Sequence, residues 1–257
     1  MGYFNQGKSK LIGMVASTPD EGRILIKKAG KVKEDIKNLQ VFHTGKILGK
    51  DFVYTVSGIG KTNASHAVTT LIINYKPSLI INFGVGGAYP SSGLNVGDIA
   101  VADKEVYGDE GVLDNSGFHG TEFIGIPLLK IKGKKYFNVF PLDRKLVQTA
   151  VRSAESIKKD LSLFNAVKTG TFVTVSTCSG TEKRARELIR KYNPVCESME
   201  GAAIAHVCCL YRISCLEIRG VSNIVEDRAP KKWNLMLAAK NCQNVVIELL
   251  QAINNPG

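Results

Sequence analysis

Short and almost wholly apolar runs, set between segments that carry a single apolar stripe, constrain this chain more than any other feature. "KLIGMVAS" (10–17) and "PSLIINFGVGGA" (77–88) lack the alternation of half-buried strands and are too short for buried helices, so they predict strands covered on both faces. Between such runs, "KTNASHAVTTLIINY" places Ala64, Ala67, Val68, Leu71 and Ile72 on one stripe, and "DEGRILIKKAG" has the acidic start and glycine stop of a helix. "VFHTGKILGKDFVYTVSG" reads as antiparallel strands turning at its glycines, and "VGDIAVADKEVYGD" as a further strand. From about Asp143 the alternation resumes: a helix, the strand "AVKTGTFVTVS", the helix "TEKRARELIRKY", the strand "VCESME", the buried helix "GAAIAHVCCLY" and the strand "SCLEIRGVS". "KKWNLMLAAKNCQNVVIELLQAI" closes the chain as an amphipathic helix. The expectation is an α/β protein with a largely parallel sheet, whose ligands sit at the carboxyl ends of strands. The irregular segment from about 108 to 142 is long enough to predict a lid or a partner contact.

No linker or low-complexity tract interrupts the 257 residues, so one domain spanning 1–257 is expected. No run approaches the ~20 apolar residues of a membrane span, and the opening "MGYFNQGKSKLIGMVAS" lacks a signal-peptide pattern, which predicts a cytoplasmic protein without a membrane partner. Six cysteines without a CxxC pair predict free thiols. The net charge of +11 raises nucleic acid as a partner, yet the basic runs "KKAGKVKEDIK" and "KIKGKKY" are separate and carry no interleaved aromatic platform, so solvated faces are expected instead. "SGIGKT" copies the end of a phosphate loop, but Thr55 stands where its first glycine belongs. "FGVGGA" holds Gly84, Gly86 and Gly87 after a strand without opening a helix; around Val85, Gly86 and Gly87 it instead predicts close approach of a ligand to bare backbone. His43, His66, His119 and His206 are scattered, so no metal is expected.

Three polar side chains fall at carboxyl ends of predicted strands: Glu21, Glu200 and Asn223. In a doubly wound sheet such ends converge, so two carboxylates and an amide could face one small molecule. Taken singly, Glu21 also fits a first-turn helix acid, Glu200 a helix cap and Asn223 a turn residue.

"KLIGMVASTPDEG", "SGIGKTNASHAVTTLIINYKPSLIINFGVGGAYPSSGLNVGDIAVAD", "ESMEGAAIAHVC" and "EIRGVSN" together resemble the nucleoside phosphorylase and nucleosidase superfamily, in particular its methylthioadenosine/S-adenosylhomocysteine nucleosidase branch. The similarity runs in order from about Lys10 to Ile253. It implies a three-layer α/β/α fold with a mixed, twisted central sheet, a purine nucleoside as the small-molecule partner, no cofactor, and a homodimer or larger homo-oligomer whose lid loops complete neighbouring sites. Carried over by position, Glu200 looks like the carboxylate that accepts both ribose hydroxyls, with Met199 beneath the sugar. Glu21 matches the acid that orients and deprotonates the attacking water. Phe172, Val173 and Thr174 lie where the family holds the base, in a register left open by a short insertion.

A phosphorylase must hold a dianion, and "STPDEG" after the first strand puts Asp20 and Glu21 where an anion would be repelled, so water is the expected nucleophile. The departure from the adenosine-type enzymes is Asn223, where they resemble one another in having an aspartic acid. An amide donates to N7 and O6 of a 6-oxopurine, whereas adenine presents a donor there. "VYGDEGV", "FNVFPLD", "TFVTVST" and "VSNIVEDR…W" resemble the futalosine hydrolase subgroup, which releases hypoxanthine in the menaquinone pathway. That resemblance implies an aromatic lid at Trp233 over the 5′ substituent, with Arg228, Lys231 or Lys232 pairing with a substrate carboxylate. Glu226, where a glycine is usual, is a departure.

Overall fold

The computed structural model describes residues 11–161 and 163–253. The opening stretch 1–10, read above for a targeting signal, and the last four residues of the expected domain lie outside them. Strands β1 (Ile12–Ala16), β2 (Val32–Lys37), β3 (Gln40–Ile47), β4 (Lys50–Val56), β5 (Leu79–Ala88) and β6 (Ile99–Tyr107) alternate with helices α1 (Pro19–Ala29) and α2 (Lys61–Tyr75). The expected irregular segment is built of two small hairpins, β7 (Gly111–Asp114) with β8 (Gly117–Gly120) and β9 (Leu129–Ile131) with β10 (Lys134–Tyr136), around the one-turn helix α3 (Thr121–Ile124). Then follow β11 (Val139–Pro141), α4 (Arg144–Leu161), β12 (Val167–Thr174), α5 (Glu182–Tyr192), β13 (Cys196–Ser198), α6 (Gly201–Tyr211), β14 (Ser214–Ile224) and α7 (Leu235–Ala252).

The sheet is mixed rather than largely parallel. β1 pairs in parallel with β4 and β5, β12 with β6 and β13, and β14 with β5. β13 against β5, β14 against β6, and the β2–β3–β4 ladder are antiparallel. Because β14 bridges β5 and β6 while β13 bridges β5 and β12, the pairings β5–β14–β6–β12–β13–β5 close a ring. β2 was not visible in the sequence, where its "VKEDIK" is charged. It is an edge strand with exposed lysines, which discourage further pairing, and the basic run is thereby a solvated edge.

Helices cover both faces. Leu25 of α1, Val147, Ala150 and Ala154 of α4, and Val245 and Leu249 of α7 share one apolar cluster; Ala64, Val68 and Leu71 of α2 and Ala202 to Ala205 of α6 share another. α7 is tied to α1 by Gln243, whose Oε1 accepts from Ile24 N (2.7 Å) and whose Nε2 donates to Asp20 O (3.1 Å). This helix starts four residues later than its apolar pattern suggested. Pro230 opens a short 3₁₀ turn through Lys232, and the Asn234 side chain caps α7 by accepting from Leu237 N (3.0 Å). All six cysteines are free thiols. No described helix is long and apolar enough to cross a membrane, and no group of His, Cys, Asp and Glu among the described residues could hold a metal ion.

Candidate active site

β5 organises the site. One of its edges is taken along its length by β14; the other pairs β1 only as far as Asn82 and then β13 from Gly87. Gly84 and Val85 lie in that gap, and Val85 N donates to Glu21 Oε1 (2.7 Å). A Cβ at Gly84 would overlap Glu21 Oε1, so this close approach requires glycine. The other oxygen of Glu21 closes the amino end of α1, accepting from Ser17 N (2.9 Å), Thr18 N (2.7 Å) and Thr18 Oγ1 (3.1 Å). The first-turn acid and the candidate site carboxylate are therefore the same residue: Oε2 is saturated by the helix end, and Oε1 keeps acceptor capacity.

Glu200 stands at the N-cap of α6, but its side chain makes no cap. Instead Oε1 accepts from Gly60 N (2.9 Å) at the start of α2, and Oε2 lies 3.5 Å from Arg219 Nη2. The phosphate-loop lookalike thus supplies a backbone donor to a carboxylate. Its Lys61 binds Asp109 and Glu110, which pins the irregular segment beside α2.

Arg219 lies between the two acids, and the sequence reading did not select it. Its Nε donates to Glu217 Oε1 (2.8 Å) and its Nη1 to Val85 O (3.2 Å), while Nη2 has no hydrogen-bond partner. Glu21, Glu200 and Arg219 are 3%, 4% and 1% exposed, so their charges act on one another largely unscreened by solvent. Burial pulls the guanidinium toward losing its proton, but the Glu217, Glu200 and Glu21 carboxylates outweigh it and raise its pKa further. A signal existed in "CLEIRGV": Glu217 and Arg219 share one face of a strand otherwise buried on both sides, where charges persist only when paired.

Asn223 follows a bulge in β14 and pairs in register with Gly87. Ser222 Oγ lies 2.8 Å from Asn223 Oδ1, and Asn223 Nδ2 donates to Ile224 O (3.2 Å). One amide hydrogen is left for a ligand, rather than the two the sequence reading assigned. A Cβ on Gly87 would lie 3.2 Å from that nitrogen, so the glycine keeps the amide edge open. Gly86 is buried, and a Cβ there would press on Cys196 Sγ at 2.5 Å; its missing side chain serves packing.

Phe172 and Val173 require correction. Both are 0% exposed, one packed among Leu94, Ala100 and Val221 and the other among Tyr89, Val175 and Leu188, so neither offers a face to a base. The last four residues of β12, Thr171 to Thr174, are all buried, so its end carries no alternation to mark which residues emerge from it. The exposed loop after β12 does emerge. Cys178 Sγ touches the half-buried Met199 Sδ at 3.2 Å, and Ser179 is fixed through N (2.8 Å) and Oγ (2.6 Å) to Glu197, which also accepts from Tyr89 OH (2.7 Å). Trp233 lies before α7, half-buried, with the Arg228 guanidinium 4.6 Å over its ring. Lys232 pairs with Glu226 (2.7 Å). Hollows of about 350 and 440 Å³ flank Tyr136, and none of these carboxylates lines them.

The Phosphorylase superfamily matches residues 11–251. A 5'-methylthioadenosine/S-adenosylhomocysteine nucleosidase of Halalkalibacterium halodurans is 30% identical over 242 residues, 93% of this chain and 97% of the relative. A futalosine hydrolase of Thermus thermophilus is 30% identical over 202 residues, 79% and 82% of the two chains. The crystal structure of the Neisseria meningitidis 5'-methylthioadenosine/S-adenosylhomocysteine nucleosidase in complex with methylthio-immucillin-A superposes with a TM-score of 0.82 at 24% identity, covering 95% of this chain and all of that one. The chain belongs to the phosphorylase superfamily, and its mixed sheet between helical layers is the nucleoside phosphorylase fold.

Proposed function

We propose that this protein is a purine nucleosidase that cleaves the N-glycosidic bond with water. The single observation that carries the choice of nucleophile is the charge around Arg219: its guanidinium is already matched by Glu217, Glu200 and Glu21. A phosphate dianion would meet net negative charge there, whereas a neutral water can donate to Glu21 Oε1, whose one protein donor is Val85 N. Glu21 then takes the proton of that water as it attacks C1 of the ribose, and Glu200 Oε2 accepts from the ribose hydroxyls. Met199 supplies the apolar floor, and the loop around Cys178 and Ser179 takes over the base contact assigned above to Phe172 and Val173.

Two bases remain to be told apart. The breadth and number of nucleosidase relatives named for methylthioadenosine and S-adenosylhomocysteine support release of adenine. One observation favours a 6-oxopurine, as in futalosine: residue 223 is an amide whose Nδ2 keeps one hydrogen beyond its bond to Ile224 O, and an amide gives a hydrogen bond but no proton. The test is incubation with methylthioadenosine, futalosine and inosine, with and without phosphate, followed by chromatography of the free base. Adenine from methylthioadenosine establishes the first reading and hypoxanthine from futalosine the second. Release that requires phosphate refutes the water nucleophile. As a homo-oligomer, the protein would cover the exposed Leu113, Phe123 and Ile126 of the irregular segment with a second copy, which sedimentation measures directly.

A further inference from the structure

Behind the reaction site lies a second acid that the proposed hydrolysis does not use. Glu105 of β6 is fully buried, and its carboxyl converges with that of Glu217 beneath the first turn of α6. A Cβ on Gly201 would overlap both groups, so the helix can close over the pair only because that residue is glycine. Glu105 Oε2 accepts from Thr174 Oγ1 (2.9 Å), which in turn accepts from Ala202 N (2.7 Å). Glu217 Oε1 is held by Arg219 Nε (2.8 Å) and Oε2 by Asn82 Nδ2 (2.8 Å). Glu105 Oε1 has no donor within reach and faces Glu217, an oxygen that already acts only as acceptor. That is the arrangement of a carboxylic acid that supplies its own proton to the bond.

Charge leads to the same place. Glu217, Glu200 and Glu21 act on one guanidinium, which also acts on Glu105, and all of them are buried. Four ionised carboxylates against one cation would leave three uncompensated charges away from water, and a buried acid with a like-charged neighbour keeps its proton instead. Burial, and next the Glu217 carboxylate, push Glu105 well above the usual carboxyl range, against the pull of Thr174 and Arg219. The other groups facing Glu105 are Tyr107 on its own strand, Cys196 on β13 and Cys215 on β14, each with its proton held more tightly than usual, first by burial for Tyr107 and Cys196 and by a Cys208 hydrogen bond for Cys215.

We propose that Glu105 and Glu217 form a proton-sharing carboxyl pair, in which the neutral Glu105 keeps Glu217 ionised and Glu217 is the positioning residue that holds Arg219 between Glu200 and Glu21. The pair itself follows from the fold; the positioning role rests on the proposed hydrolysis, and the two are tested separately. In infrared difference spectra of the unliganded wild type, a protonated-carboxyl C=O band should persist near pH 8 and vanish in Glu105→Gln. A group that holds its proton more tightly when folded makes stability fall as pH rises above the ordinary carboxyl range, by up to about tenfold in the unfolding constant per pH unit. Glu105→Gln should remove that slope.

For base release, Glu105→Gln, a neutral isostere, should turn over near the wild-type rate at neutral pH. Glu217→Gln should lower kcat about tenfold or more, because Arg219 loses its orienting partner. Absence of the band in the wild type near pH 8, or its survival in Glu105→Gln together with an unchanged stability slope, overturns the pair. Wild-type turnover in Glu217→Gln overturns the positioning role. If the wild type releases base from no purine nucleoside, the hydrolysis reading fails, while the infrared and stability measurements still decide the pair.

Discussion

Replacing Arg219 by methionine removes the one cation shared by Glu217 and Glu200 while keeping a similar volume. In the native chain the guanidinium lies 2.8 Å from Glu217 and 3.5 Å from Glu200, with the arginine and Glu217 side chains 1% exposed and Glu200 6%. Breaking a buried pair by deleting one partner typically costs about 3 to 5 kcal/mol, because the other charge stays buried and uncompensated. A kcal/mol lowers the melting temperature of a domain near this size by about 2 to 4 °C, so Arg219→Met should melt about 6 to 20 °C below the wild type at pH 7. The deficit should shrink as the pH falls into the carboxyl range, since the stranded acids are relieved by binding protons that the wild type excludes. Arg219→Lys separates charge from geometry: an ammonium keeps the charge but cannot serve Glu217 and Val85 O through a planar fork, so it should recover part of the stability and little of the turnover. Scanning calorimetry from pH 5 to 8 reads the stability of both variants, and base release reads their turnover. A drop below about 3 °C for Arg219→Met, or one that does not depend on pH, would refute the account of Arg219 as the charge centre of the site.

Glu21→Gln can keep the bonds of the α1 end through its amide oxygen but turns an NH2 toward the Val85 N–H and cannot take a proton, so base release should fall by about 10² to 10⁴ in kcat with some loss of melting temperature; turnover near wild type would remove Glu21 from the chemistry. Asn223→Asp gives the cleft a group able to protonate a leaving base, and the ratio of adenine to hypoxanthine release should rise, with rates that fall as pH rises through the new acid's pKa; an unchanged ratio measured on paired substrates would dissociate residue 223 from base choice. His206 is half-buried on α6, stacked on Phe140 at 4.5 Å, and burial holds it below its usual pKa. Its protonation should therefore cost stability as pH falls through about 6.5, and His206→Phe should flatten that part of the stability profile measured by urea titration.

Apart from β2 and the short elements between 108 and 142, the strands and helices were legible in the sequence because burial on both faces leaves a continuous apolar run and burial on one leaves a stripe, and both patterns are local. The glycine turns of the β3–β4 hairpin and the resemblance carried by "ESMEGAAIAHVC" and "EIRGVSN" were legible for the same reason, as was the placement of Glu21 and Glu200 beside element ends. Tertiary structure decided what depends on registration between distant segments. The ring of β5, β14, β6, β12 and β13 is a matter of which strand lies beside which, and no single strand encodes it. That ring turns Phe172 and Val173 into the core and leaves the Val85 amide free for Glu21. It also brings Asn82, Glu105, Glu217 and Arg219, spread over 138 positions of chain, into one buried network. The sequence by itself determined which residues could carry charge into the interior; only the closed sheet determined which of them meet, because the energy of a buried charge depends on the partner that chain folding sets beside it.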